Sequence, residues 1–326
     1  MSEPDWEIPL NLQPEPGDYS YDLEGALRAV VSLRANVPSD AFTAESLGTE
    51  RTGSGVAIRV PGGPDGLVLT VGYLITEAET IWLVPHDGRA VAGHALAYDQ
   101  ETGFGLVLAL GKLGVTGLEL GKSSALRVGD QLVMAAGGGL ARAMETRLAA
   151  RQEFAGYWEY LLDEALFTAP AHPFWSGAAV IGPDGKLVGI GSLILQQGGG
   201  QRADMNMVVP IDLLQPIIGA MLNTGSSGRK PRPWLGIFVM ENDGGLVVGG
   251  LADGGPAERA GVRVGDQVLG IDDEEVGEIA ALWRGLWSAG APGAVVKLRV
   301  ARNDAKLTIR IATADRNRAL RSPRLH

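Results

Sequence analysis

The sequence predicts a mainly β protein followed by a small mixed α+β module, and three observations predict it. Between about residues 28 and 211 short apolar runs alternate with turn residues, with few long helical periods, the pattern of antiparallel barrels or sandwiches. The turns "PHDGR" and "GPDGK" place Asp-Gly where a hairpin needs positive φ. A Gly/Ser stretch running into a basic, Pro-stiffened one, "NTGSSGRKPRPW", then reads as a linker to a second unit.

Taken in order, the strand candidates are "RAVVSLRA", "GVAIRV", "GLVLTV", "TIWLV", "RAVAGHALA", "FGLVLAL", "DQLVMAA", "AAVIG", "KLVGIGSLIL" and "MNMVVPI". "IDLLQPIIGAML" has helical spacing and closes the region. Beyond the linker, "GPAERAG" opens a short helix with Pro256 and leaves it at Gly261. "EIAALWRGLW" is a second helix, and "VVKLRVARNDAKLTIRIA" is a hairpin turned at Asn303-Asp304. The expected boundaries are an arm at 1–27, a β-rich domain at 28–222, a linker at 223–231, the second domain at 232–316 and a basic tail at 317–326.

Composition narrows function. The 326 residues carry a net charge of −10, which opposes nucleic acid as a main partner, since phosphate binding needs a positive field. There is no cysteine, so disulfides and thiolate catalysis are excluded. His86, His94, His172 and His326 have no metal-ligand spacing, and no metal or other cofactor is expected. The first 25 residues are acidic and Pro-punctuated, unlike a signal peptide, and no apolar run approaches the ~20 residues of a membrane span. The expected location is therefore cytoplasmic.

An ordered set of motifs then resembles one family. "GSGVAI" (53–58), "LVLTVGYLI" (67–75), "DGRAV" (87–91), "YDQETGFGLVLAL" (98–110), "GKSSALRVGDQLVMAAG" (121–137) and "GPDGKLVGIGSLI" (182–194) follow the HtrA/Deg serine proteases in order and spacing. So do "MVVPIDLL", "RPWLGI" and "GGPAERAGVRVGDQVLGIDDEEV". The resemblance implies a chymotrypsin-like double β-barrel followed by one PDZ domain, in a family associated with protein quality control and often periplasmic.

Carried across residue by residue, the resemblance places Ser176 of "AHPFWSGAAV" at the nucleophile position. The general base falls on Tyr73, the orienting aspartate on Gly103, and the oxyanion-hole glycine on Phe174. A phenol with pKa ≈ 10 is protonated at neutral pH, and glycine has no side chain to orient a base. Phe174 brings a Cβ to a backbone position where the family has none. A pseudoprotease follows, with Ser176 unactivated. His172 lies in the loop before Ser176; the resemblance points its ring away, as a loop histidine bonded to backbone.

Eight of the nineteen aromatic residues gather at or near these positions: Tyr73, Phe104, Phe174 and Trp175 beside the triad, and Phe154, Tyr157, Trp158 and Tyr160 in a loop expected to approach the same cleft. They either fill the space of the missing triad or line a ligand groove.

In the second domain the resemblance puts a carboxylate-binding nest at the amides of Leu235, Gly236 and Ile237, where C-terminal peptides would add as a strand. Trp283 and Trp287 are either core or pocket wall. The family also assembles as trimers, and Trp6, Tyr19 and Tyr21 in the arm are either candidates for such contacts or pack on their own barrel. The leading expectation is a catalytically inactive peptide-binding scaffold acting on peptides or protein C-termini. The rivals are an active serine endopeptidase using Ser176 with a non-standard base, and a regulatory subunit in mixed oligomers.

Overall fold

The computed structural model describes residues 7–196, 204–242, 244–303 and 305–321. Trp6 and His326 lie outside them. The described chain divides into two compact units, 7–152 with the described residues of 164–228, and 153–163 with those of 229–321. Among the described residues no helix is long and apolar enough to cross a membrane.

The first unit holds two closed six-stranded barrels. The first barrel runs around its wall as Val30–Asn36, Glu50–Ala57, Leu67–Val71, Phe104–Ala109, Val91–Tyr98 and Thr80–Val84. Closure removes the exposed strand edges that an open sheet of these apolar runs would leave. Its interior is filled by Val31, Leu33, Leu69, Phe104 and Leu106, all fully buried. The second barrel runs as Ala179–Ile181, Leu187–Leu195, Met205–Pro210, Tyr160–Ala169, Ala143–Gly156 and Gln131–Ala135. The Asp-Gly turns behave as their residues dictate, with Gly88 at φ 77° and Gly185 at φ 76°.

Two strands were not anticipated. Ala143–Gly156 and Tyr160–Ala169 form a long hairpin from sequence whose polar and aromatic residues hide the period-2 signal. Its tip, 153–163, groups with the second unit.

The arm's two described aromatics follow the second of the readings open for them, packing on their own barrel. The Tyr19 hydroxyl donates to Glu145 Oε1 at 2.8 Å, and the Tyr21 ring lies over the turn at Gly185. The two rings meet edge to face, 5.4 Å apart. Ile8 is buried, and its amide bonds Ala141 O at 2.8 Å. Tyr19 and Tyr21 are thus packing residues of their own barrel, because each finds apolar cover and Tyr19 a polar partner within the chain.

The second unit is a six-stranded antiparallel sheet with helices Pro256–Arg259 and Ile279–Ser288. Strand Ile237–Asn242 is at one end of its main strand order, paired with Gly245–Leu251. The 295–312 hairpin has Asn303 at φ 49°, and Asp304, the other residue of the expected turn, lies outside the described residues. Trp283 is fully buried among Leu235, Ile237, Leu282 and Leu298, so it is core. Trp287 is partly buried and lies under the Arg232 guanidinium, 4.1 Å from the ring centroid.

Candidate functional sites

In the first unit, the strand Leu67–Val71 ends in a single helical turn, Gly72–Ile75, that carries Tyr73. The buried Arg51 holds that turn from beneath, donating to Tyr73 O at 2.7 Å and Thr76 O at 2.9 Å. The turn is tied to Gly103, whose carbonyl accepts from the Gly72 amide at 2.6 Å. Ser176 is fixed by its own carbonyl, which accepts from Ser54 N at 2.8 Å. These contacts bring the three triad positions together.

The Tyr73 hydroxyl lies 2.8 Å from Ser176 Oγ and 2.8 Å from the carbonyl oxygen of Ser192. A phenol has one proton, and a carbonyl can only accept. The phenol therefore donates to Ser192 O, and Ser176 donates its own proton to the phenol oxygen. Burial pushes the phenol up to about 12, against the pull of its hydrogen bonds. Ser176 thus faces a neutral phenol, whose oxygen has negligible basicity.

Gly103 sits at φ 80°, in the left-handed region that side chains resist. Its neighbour Phe104 is fully buried in the barrel. On the other side of Ser176, the Phe174 amide donates to His172 Nδ1 at 3.0 Å. Accepting there leaves the proton on Nε2, which donates to Arg142 O at 3.0 Å. The Asn206 side chain clamps the backbone of His172 from both sides, accepting from its amide at 2.6 Å and donating to its carbonyl at 3.2 Å. Burial lowers His172 to about 4, so it is neutral and both ring nitrogens are committed.

A cleft of about 950 Å³ opens beside Ser176, lined among others by Trp82, His86, Arg142, Phe174 and Trp175. Phe154, Tyr157, Trp158 and Tyr160 do not line it, contrary to expectation. They pack on each other and on Phe238 in the second unit: Trp158 stacks on Tyr160 at 5.5 Å, and Tyr157 approaches Phe238 at 6.2 Å.

In the second unit, the segment Leu235–Ile237 turns its three consecutive amides toward one point. Gly236 makes the turn at φ 77°, and a Cβ there would meet the Trp234 ring at 3.0 Å. The point is occupied by the carboxylate of Glu159, which accepts from Leu235 N at 3.0 Å, Gly236 N at 2.7 Å and Ile237 N at 3.4 Å. Glu159 is buried, which pushes it up to about 7 although the three amides and Arg316 pull it down. Sequence reasoning passed over Glu159. Its one signal is a lone acid in the aromatic run "YWEY".

Two closed barrels with a serine presented on the loop before Ala179–Ile181, followed by a sheet-and-helix unit with an amide nest, define a trypsin-like domain joined to a PDZ domain. The trypsin-like peptidase domain family matches residues 53–190 and the PDZ domain family residues 233–313. In carrying these two domains in this order the chain is similar to HtrA-type serine proteases with one PDZ domain. It is 27% identical over 265 residues to a probable periplasmic serine endoprotease DegP-like of Halomonas elongata, covering 77% of this chain and 54% of that one. It is 24% identical over 329 residues to the serine protease Do-like HtrA of Bacillus subtilis, covering 90% and 71%. It is 26% identical over 277 residues to the periplasmic pH-dependent serine endoprotease DegQ of Escherichia coli, covering 80% and 59%. Among solved structures, the HtrA-type protease AlgWS227A with tripeptide superposes with a TM-score of 0.52 at 21% identity, covering 93% of this chain and 97% of that one, a likeness of fold. The names of the Halomonas and Escherichia relatives place them in the periplasm, so the comparisons lend the cytoplasmic expectation no support.

Proposed function

We propose that this chain is an HtrA-like protein that does not hydrolyse peptides and acts as a peptide-binding scaffold through its PDZ domain. The observation that carries the reading is the partner of Ser176 Oγ, a buried phenol hydroxyl 2.8 Å away that is held neutral. A serine hydroxyl attacks only when a base removes its proton, and the base must itself be oriented. Neither Tyr73 nor Gly103 supplies those roles, and the Phe174 amide is spent on His172 rather than free for an oxyanion. Losing the base alone costs several powers of ten in rate in the general triad template.

What the reading keeps is recognition of a free carboxylate by the amides of Leu235, Gly236 and Ile237, with the peptide added along Ile237–Asn242. A homo-oligomer, trimeric in the family's pattern, belongs to the same reading and is carried by resemblance alone. Light scattering checks it.

The rival is an active endopeptidase, favoured by the position of Ser176 on the wall of the 950 Å³ cleft. Fluorophosphonate labelling of the full chain beside Ser176→Ala separates the two. The proposal expects no serine-dependent label and no casein cleavage. Labelling that vanishes in Ser176→Ala would overturn it.

A further inference from the structure

The amide nest of the second unit is filled by this chain itself, and the way it is filled follows strand addition. Trp158 bridges Phe238 in antiparallel sense, and the Val239 amide donates to Tyr157 O at 2.7 Å. Extending that register by one residue sets Glu159 opposite Ile237, at the end of the strand where the nest lies. On the helix side, the Trp283 indole donates to Gly156 O at 2.9 Å. Leu161 completes the anchorage by entering the core with Leu235 and Ile237. Arg284 ties both legs of the hairpin, pairing with Glu153 and with Asp163 at 2.7 Å.

We propose that residues 156–159 are the resident ligand of the PDZ cradle, with the Glu159 side-chain carboxylate standing where a peptide's terminal carboxylate would bind, so that the cradle is closed to free C-termini until the tip withdraws. The proposal rests on the peptide-binding reading above and adds its regulation. Two carboxylates cannot share one set of three amides, and two strands cannot pair with the same edge of Ile237–Asn242. Binding of an outside peptide therefore competes with the tip, and its apparent affinity is its intrinsic affinity multiplied by the fraction of molecules in which the tip is withdrawn. The partner so admitted is a segment with a free terminal carboxylate and an apolar last residue, presented at high local concentration.

The test uses the full chain, Glu159→Ala and Glu159→Asp. The probe is a hexapeptide that copies Phe154–Trp158 and ends in valine, made as the free acid and as the amide. Calorimetry should find the acid bound at least ~10-fold more tightly by Glu159→Ala than by the parent chain, with the amide gaining nothing. Equal affinity of parent and variant for the acid overturns the resident ligand while leaving the cradle a peptide site. Should no form bind the acid, the peptide-binding reading falls, and hydrogen exchange still decides occupancy. Amides 235–237 should lose at least ~10-fold protection in Glu159→Ala without peptide, and unchanged protection overturns the proposal. If the alanine variant fails to fold, Glu159→Asp, whose shorter stem draws the carboxylate back from the amides, carries the same comparisons, with smaller changes in the same direction expected.

Discussion

At the residue scale, the first unit is decided by where single protons sit. Restoring Tyr73→His with Gly103→Asp should leave fluorophosphonate labelling of Ser176 at background. An aspartate at φ 80° is strained, and the Phe174 amide still points at His172. Strong labelling of that double variant would show the oxyanion site to be competent after all. His172 makes a second prediction. Its folded pKa of about 4 lies below the ordinary value of 6.5, so the unfolded chain takes up the proton first as pH falls. Its stabilising contribution is complete above pH 6.5 and is lost as pH drops through 4. The loss is on the order of 3 kcal/mol at one proton and ~1.4 kcal/mol per pH unit. Urea midpoints at pH 7 and pH 4.5 should converge between the parent chain and His172→Gln. A gap that stays constant would remove the histidine from the acid response.

At the element scale, the informative piece is the 143–169 hairpin. Its tip docks through a buried carboxylate whose pKa of about 7 exceeds the ordinary 4.5, with Arg316 the charged group facing it. A raised carboxylate holds a proton when docked that it gives up when released, so docking is strongest below pH 4.5 and weakens as pH rises through 7. Exchange at residues 156–159, corrected for intrinsic rates, should therefore show more opening at pH 8 than at pH 5.5 in the parent chain. The same measurement on Glu159→Gln should be flat, and an equal slope in both would assign the effect elsewhere. Gly236→Val belongs to this scale as well. Valine at φ 77° against the Trp234 ring should undo the nest, releasing the tip and abolishing carboxylate binding while Ser176's barrels stay folded. Near-parental exchange at 156–159 in that variant would show the turn to be dispensable.

At the scale of the whole molecule, the second unit is not continuous in sequence, since it takes 153–163 from the middle of the chain. A fragment of 229–321 alone lacks Leu161 in its core and any carboxylate in its nest. It should melt lower than the second unit does in the full chain, by the ~2 kcal/mol that burial of one leucine supplies and the further loss of the nest's bonds. The free-acid hexapeptide should raise its melting temperature, and the amide should not. A fragment as stable as the full chain's second unit would mean that the tip is only lying on the surface.

Much of this was legible before any coordinates. Asp-Gly turns and Pro256 at a helix start report local chemistry that acts wherever the residue stands, and with the short apolar runs they indicate a β-rich region of barrel or sandwich type; the double barrel and the PDZ unit came from the resemblance of the ordered motifs. Tyr73, Gly103, Phe174 and Ser176 could be assigned to one site because the motifs order them along the chain. The direction of the proton between Ser176 and Tyr73 could not be read, because it depends on Ser192 O, a carbonyl distant in sequence that takes the phenol's only proton. The occupant of the nest could not be read either. Glu159 is an ordinary surface acid by its type, and only the folding back of 153–163 onto Leu235–Ile237 buries it against three amides. Sequence carries what neighbouring residues do to one another; contacts between residues 76 or more positions apart, as between Glu159 and Leu235, exist only once the chain has closed on itself.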